Sequence, residues 1–363
     1  MRLVAALVVV VHHAKGYLLS DSLMVPAGEA VSFFFVLSGF ILTYAYHQRE
    51  YTLSSYYLAR VARILPASLL SIFAFLLLIN PYAEKLSGTD IAIAGSNIFL
   101  IQSLIPIPAF YFGLNAVLWS VSVEIFFYVL FPLFERYLHR SYGLLLLVSI
   151  PLATGLLMIA ISKAYNYPNY SPSAFFSTTW HGLIYINPLS RLKEFVLGML
   201  TGVFYLNYRH HPWTGGKRHL FSGVELLAIT ALVWGLPILN SFGYLLASKA
   251  TTSAEISGLF ISQILTSLMF SATIFIFAVG RGWPSQLLRN KIFVIGGEIS
   301  FSVYLFHQIF IIWQHKNPWL LSWCQQLYRF QVTLVFTIAF SFCIWRWFEC
   351  PMRTLILRTF RRP

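Results

Sequence analysis

Hydrophobic positions along this chain do not alternate with polar ones; they run on in long blocks. LWSVSVEIFFYVLFPLFE, residues 118 to 135, is such a block, long enough as a helix to cross about 30 Å of hydrocarbon. Ten spans follow from the pattern: 2–20, 29–46, 64–80, 118–135, 143–161, 186–206, 221–239, 258–280, 292–314 and 331–349. The first is the weakest, because only Leu3 to Val11 is purely apolar. Segment 98–114 is apolar too, but Pro106 and Pro108 interrupt it, which predicts an interfacial or re-entrant piece. The expected fold class is all-α, a polytopic membrane protein of about 10 transmembrane helices, with one membrane domain over 1–363 and no separate soluble domain. No internal repeat or low-complexity tract breaks the series.

Composition agrees with that pattern: 58 % of the residues are hydrophobic and only 10 % charged, against roughly 25 % charged in soluble domains. The formal charge of +13 does not imply nucleic-acid binding, since the 25 Lys and Arg are scattered between apolar runs instead of forming a stripe. With the N-terminus inside, sixteen of these cations fall on the inner side and eight on the outer, with Arg346 in the last span. That bias predicts cytoplasmic termini. The three cysteines, Cys324, Cys343 and Cys350, have no disulfide or metal spacing. The opening MRLVAALVVVV runs into His12, His13 and Lys15 without a small-residue cleavage site, so it is expected to stay as the first span.

The informative residues are the polar ones inside spans, because a charged group near the bilayer centre costs about 2.5 to 3.5 kcal/mol on insertion scales. Glu124 is one. Arg2 and His13 are separated by ten residues, about 16 Å of helix rise, which puts His13 near mid-membrane if Arg2 is at the surface. Ser300, Tyr304 and His307 follow i, i+4, i+7 spacing on one helix face. His13, Glu124 and His307 are therefore expected to converge at one depth. Arg60 and Arg63, one turn apart before Pro66, flank a span as positive-inside residues do, and two guanidinium forks can also hold a diphosphate. RHHPWTGGKRH at 209–219 has three histidines and no acid, and reads as a solvated loop; no metal is expected. Ser38 and Gly39 suit tight helix packing.

Five ordered stretches resemble the acyltransferase 3 family of integral-membrane acyltransferases: Arg2 to His13, GEAVSFFFVLSGFI (28–41), ARVARILP (59–66), NAVLWSVSVE (115–124) and ISFSVYLFH (299–307). FECP at 348–351 resembles the close of the family domain. The resemblance covers the whole chain. It implies that His13 matches an essential histidine, Arg2 the arginine before it, Arg60 and Arg63 a paired-arginine motif, and Glu124 the acid after the tryptophan motif. Two features depart from the pattern: relatives usually carry several residues before the arginine, and Phe301 stands where tyrosine is common. No fused esterase-like domain is visible, so any second-step partner is expected to be a separate protein.

The resemblance further implies acyl-CoA, commonly acetyl-CoA, as a donor substrate with no tightly bound cofactor. The acceptor is a hydroxyl of a polysaccharide or lipid-linked glycan across a bacterial cytoplasmic membrane. In this scheme Arg2, Arg60 and Arg63 bind the donor, and His13 acts as general base or as nucleophile, the choice staying open. Glu124 orients and charge-stabilises His13. Ser300, Tyr304, His307 and Trp119 are expected to support the site or bind the acceptor. A proton-coupled transporter is the alternative reading of intramembrane acids and histidines, although the paired broken helices of many carriers are not seen.

Overall fold

The computed structural model describes residues 1–79, 87–140, 142–209, 218–250, 253–325 and 328–360. His210 and His211 of the predicted loop lie outside the described residues. In chain order the helices are α1 (Arg2–Ala14), α2 (Ala27–Tyr46), α3 (Leu53–Ile79), α4 (Gly88–Ile98), α5 (Pro108–Tyr111), α6 (Leu118–Leu138), α7 (Gly143–Ala164) and α8 (Pro188–Tyr208). Then follow α9 (Arg218–Ala250), α10 (Ala254–Val279), α11 (Trp283–Leu288), α12 (Lys291–Lys316), α13 (Arg329–Ile344) and α14 (Cys350–Phe360). No strand occurs among the described residues, and the protein is a polytopic all-α membrane protein.

Eight helical stretches are long and apolar enough to cross a membrane: α2, α3, α6, α7, α9, α10, α12 and Arg329–Phe360, in which a π-helical turn at Trp345–Glu349 joins α13 to α14. Each of the ten predicted spans contains helix, and two need correction. The first ends at Ala14, giving 13 residues or about 20 Å. It stops there because the chain turns at Gly16, whose φ of +74° favours glycine. The sixth, α8, carries Arg191, Lys193 and Glu194 within its first two turns. A third boundary also moves: α3 starts at Leu53, well before residue 64, so Arg60 and Arg63 lie inside the helix. Hydropathy marks where a helix meets lipid, whereas its hydrogen-bonded turns continue into polar sequence.

Segment 98–114 is broken as expected, into a 3₁₀ turn at Gln102–Leu104 and the single turn of α5. Two of its neighbours illustrate how ends are tied. Ser87 and Asp90 form a capping box at the start of α4. Glu225 of α9 accepts from the Gly282 and Ser285 amides and the Ser285 hydroxyl at 2.8, 2.9 and 2.7 Å, clasping α11.

Helices α2 and α8 approach closely. A Cβ added to Gly39 would overlap the Phe195 carbonyl, and one on Gly198 the Val36 carbonyl, so glycine is what lets these backbones touch. The contact brings Phe35, Phe127, Phe131 and Phe195 into one aromatic core. Helices α1 and α12 pair in parallel: Leu3 meets Gly296 near one end and His13 meets His307 near the other. Helix α6 runs against them with Ser120 beside Tyr304.

Candidate active site

The parallel pairing of α1 and α12 is what joins His13 to His307. Their nitrogens, His13 Nδ1 and His307 Nε2, are 2.9 Å apart, and the rings sit 5.1 Å apart at 38°. His307 is fully buried. Its Nδ1 lies 3.1 Å from the Val303 carbonyl, which can only accept, so Nδ1 carries the proton. In the neutral ring Nε2 is then an acceptor, and His13 Nδ1–H donates to it. Nε2 of His13 keeps its lone pair, and it makes no hydrogen bond among the described residues. An imidazole held by one nitrogen with the other unengaged is the arrangement a general base or nucleophile requires.

A cavity of about 70 Å³ lies further along the same helices toward Arg2. Arg2, Arg63, Glu124, Tyr128, Ser120, Ser300 and Tyr304 supply its polar lining. Two guanidiniums against one carboxylate leave this lining with a positive excess suited to an anion or to a developing negative charge. Tyr304 links the two regions: its hydroxyl is 2.6 Å from Ser120 Oγ, and its ring is 6.0 Å from that of His307. A second cavity, of about 240 Å³, lies beyond the histidines toward the Lys316 end, lined by Tyr17, Leu18, Gln314, His315, Pro318 and Arg329.

Glu124 does not serve His13. Its Oε1 accepts from Ser38 at 3.0 Å and from Tyr128 at 2.5 Å, and its nearest cationic neighbours are the arginines of the cavity. Counting turns explains the mismatch. Ser120 is level with Tyr304; Glu124 is one turn of α6 further toward Arg2, and His307 nearly one turn of α12 the other way, so the two differ in depth by about 10 Å. The expected convergence at one depth holds for His13 with His307 and fails for Glu124.

The other predicted residues separate in the same way. Arg63 lines the cavity, whereas Arg60 stands behind it, donating to the Tyr46 hydroxyl at 3.3 Å with its guanidinium 5.6 to 5.9 Å from the rings of Tyr46, Tyr56 and Tyr128. Ser300 donates to the Gly297 carbonyl at 2.7 Å on the cavity wall. Trp119 is buried against Phe35 and Tyr185 and does not line the cavity. Sequence reasoning missed Ser120 and Tyr128, although Ser120, Glu124 and Tyr128 recur every four residues and share a face of α6. Ser38 gave no such signal, since nothing local connects α2 to α6.

The acyltransferase domain of the acyltransferase 3 family matches residues 1–346. The chain belongs to that family. It is a membrane-embedded acyltransferase 3 protein, and the matched region takes in both histidines and every polar residue of the first cavity. Among named relatives, it is similar to the acyltransferase MdmB of Streptomyces mycarofaciens, 25 % identical over 79 % of this chain and 69 % of that protein. It is also similar to the O-acetyltransferase OatA of Staphylococcus aureus strain NCTC 8325, 23 % identical over 97 % of this chain. The chain spans 56 % of the length of OatA. No solved structure matches.

Proposed function

We propose that this acyltransferase 3 protein transfers an acyl group, acetyl first among candidates, from acyl-CoA to a hydroxyl of a polysaccharide or similar glycan. His13 Nε2 is the reactive group. The observation that carries this reading is the His13–His307 hydrogen bond, with His307 itself held by the Val303 carbonyl. It leaves one imidazole nitrogen without a hydrogen bond, at a level of α1 and α12 between the stretches that line the two cavities, although neither histidine lines either one.

The donor enters from the Arg2 end. The thioester-bearing arm inserts between Arg2, Arg63 and Tyr304, and the bulkier adenosine and phosphates stay toward the Arg2 mouth. Arg2 and Arg63 supply positive charge along that route, which offsets the negative potential of an anionic inner leaflet against the donor's phosphates. The acceptor enters from the Lys316 end, where Tyr17, Gln314, His315 and Arg329 offer hydrogen-bonding groups to a glycan. His13 Nε2 takes the hydroxyl proton as the acceptor oxygen bonds to the thioester carbon; the C–S bond breaks, and the departing thiolate recovers the proton from the imidazolium. His307 is a positioning residue that fixes the ring and its tautomer. Glu124, hydrogen-bonded by Ser38 and Tyr128, places its carboxylate in the lining shared with Arg2 and Arg63.

The names of MdmB and OatA support acyl and O-acetyl transfer as the reaction class. The test is label transfer from radiolabelled acetyl-CoA to a polysaccharide extract by membranes containing the native protein or His13→Ala at matched levels. Transfer by the native protein alone upholds the reading. Full transfer by His13→Ala removes His13 from the chemistry, and proton-coupled uptake without acyl turnover returns the protein to the transporter class.

A further inference from the structure

A second cluster of donor groups lies away from the cavities, where the C-terminal ends of α2 and α6 meet. His47 caps α2, while Glu135 and His139 sit one turn apart on α6. One donor atom from each lies within 4.8 Å of the other two. Glu135 Oε1 is 2.8 Å from His139 Nε2 and 3.4 Å from His47 Nδ1. Around one tetrahedral ion with bonds of about 2.1 Å, neighbouring donors sit roughly 3.4 Å apart, which the His47–Glu135 separation already matches and the His139–Glu135 separation reaches by a shift of about 0.6 Å at the His139 side chain.

Three further observations argue against an ordinary hydrogen-bonded trio. His47 Nδ1 is buried and has no hydrogen-bond partner, a cost that structures seldom leave in place. Both imidazoles address the same carboxylate oxygen, Glu135 Oε1, with their rings stacked 4.7 Å apart at 16°, so all three side chains crowd one point. The residue after His47 is Gln48, with φ +62°, a left-handed conformation that costs a non-glycine residue about 1 kcal/mol or more. That turn takes the chain out of α2 immediately beside the cluster. Strain of this kind collects where a site needs it.

We propose that His47, Glu135 and His139 form a binding site for a divalent transition metal of the zinc class. Two imidazoles and one carboxylate are a known zinc donor set that leaves a fourth position open. The ion fastens the end of α2 to the end of α6. The neighbouring Tyr46 also accepts from Arg60, so the metal stiffens the rim on which that guanidinium is seated. The sequence reading expected no metal because it weighed only the histidines of 209–219, and His47 is far from Glu135 and His139 along the chain.

The test uses the full-length protein in detergent, free of any polyhistidine tag, stripped with chelator and then dialysed against Zn²⁺. The expected result is about one zinc per chain for the native protein, raised thermal stability on zinc addition, and loss of the stoichiometric ion in both His47→Ala and His139→Ala. A variant with His210, His211 and His219 all changed to alanine keeps its zinc. X-ray absorption at the zinc edge of the native protein gives a shell of two imidazoles with oxygen. No retained zinc in the native protein, undiminished zinc in the His47 and His139 variants, or a shell without imidazole overturns the proposal. Because the native-protein spectrum needs no variant, misfolding of a variant does not shield the proposal.

Discussion

On α8, Arg191 and Glu194 are fully buried and pair at 3.0 Å; between α1 and α12, His13 and His307 are bonded at 2.9 Å deep among apolar side chains. The two regions differ in what can reach them. Glu194 also accepts from Ser32 at 3.1 Å, Arg191 donates to Ser32 at 3.1 Å, and the guanidinium lies against the rings of Phe35 and Tyr185 at 5.1 and 4.9 Å. Lys193 beside them donates to Ser190 and Gln263 and sits 4.1 Å from the Phe260 ring. In this network Arg191 Nη1 and Gln263 Nε2 keep no hydrogen-bond partner among the described residues, yet both are buried and closed to any substrate. The histidine pair differs in access: it lies along α1 and α12 between the stretches that line two cavities, and His13 is only partly buried. Burial of an ionisable group in a membrane protein therefore marks cost, and unspent hydrogen-bonding capacity beside open space marks chemistry.

The contrast yields ordered predictions. The largest effect is expected from His13→Ala, which should lower acyl transfer about 10²- to 10⁴-fold while leaving the folded yield from membranes unchanged. Glu194→Ala should do the reverse. Leaving Arg191 buried without its partner costs about 3–5 kcal/mol, read as a lower denaturation midpoint in detergent, with activity per folded molecule retained. Replacing Arg191 and Glu194 together by apolar residues of similar volume should restore most of that stability. If Glu194→Ala instead abolished transfer in well-folded protein, the distinction between the two regions would collapse.

Smaller effects sharpen the same line. His307→Ala removes one hydrogen bond, worth about 1–3 kcal/mol, and should reduce kcat about 10- to 100-fold with little change in KM for acyl-CoA, since His307 orients the base and does not line the donor cavity. Ser38→Ala leaves Glu124 its bond to Tyr128 and should cost about 1 kcal/mol, a loss of transfer below tenfold measured in the same vesicles.

Much of this was legible in the sequence. Apolar blocks of membrane length located helix in each of the ten predicted spans, eight of them in stretches long and apolar enough to cross a membrane, because transfer of apolar side chains into lipid is a property of each segment alone. Arg2, Glu124, Ser300 and Tyr304 were picked out as polar residues in spans and Arg63 as one of two arginines flanking a span, and all five line one cavity. Charge counting was less secure than it looked. Arg60 and Arg63 on the inner list, and Arg191 and Lys193 on the outer, turn out to lie within helices, with Arg191 and Lys193 buried.

What the sequence by itself determined is the all-helical membrane fold, the family and the set of residues that could do chemistry; each follows from local composition or from spacing within one helix. Only the tertiary structure decided who meets whom. Depth along a helix is countable from sequence, but the offset between two helices is set by how their surfaces interlock. The glycines of α2 and α8 and the Leu3–Gly296 contact of α1 and α12 are parts of that interlocking. That offset places His307, not Glu124, against His13, and brings His47 to Glu135 and His139, because relative register is a property of packed pairs and is written in no single segment.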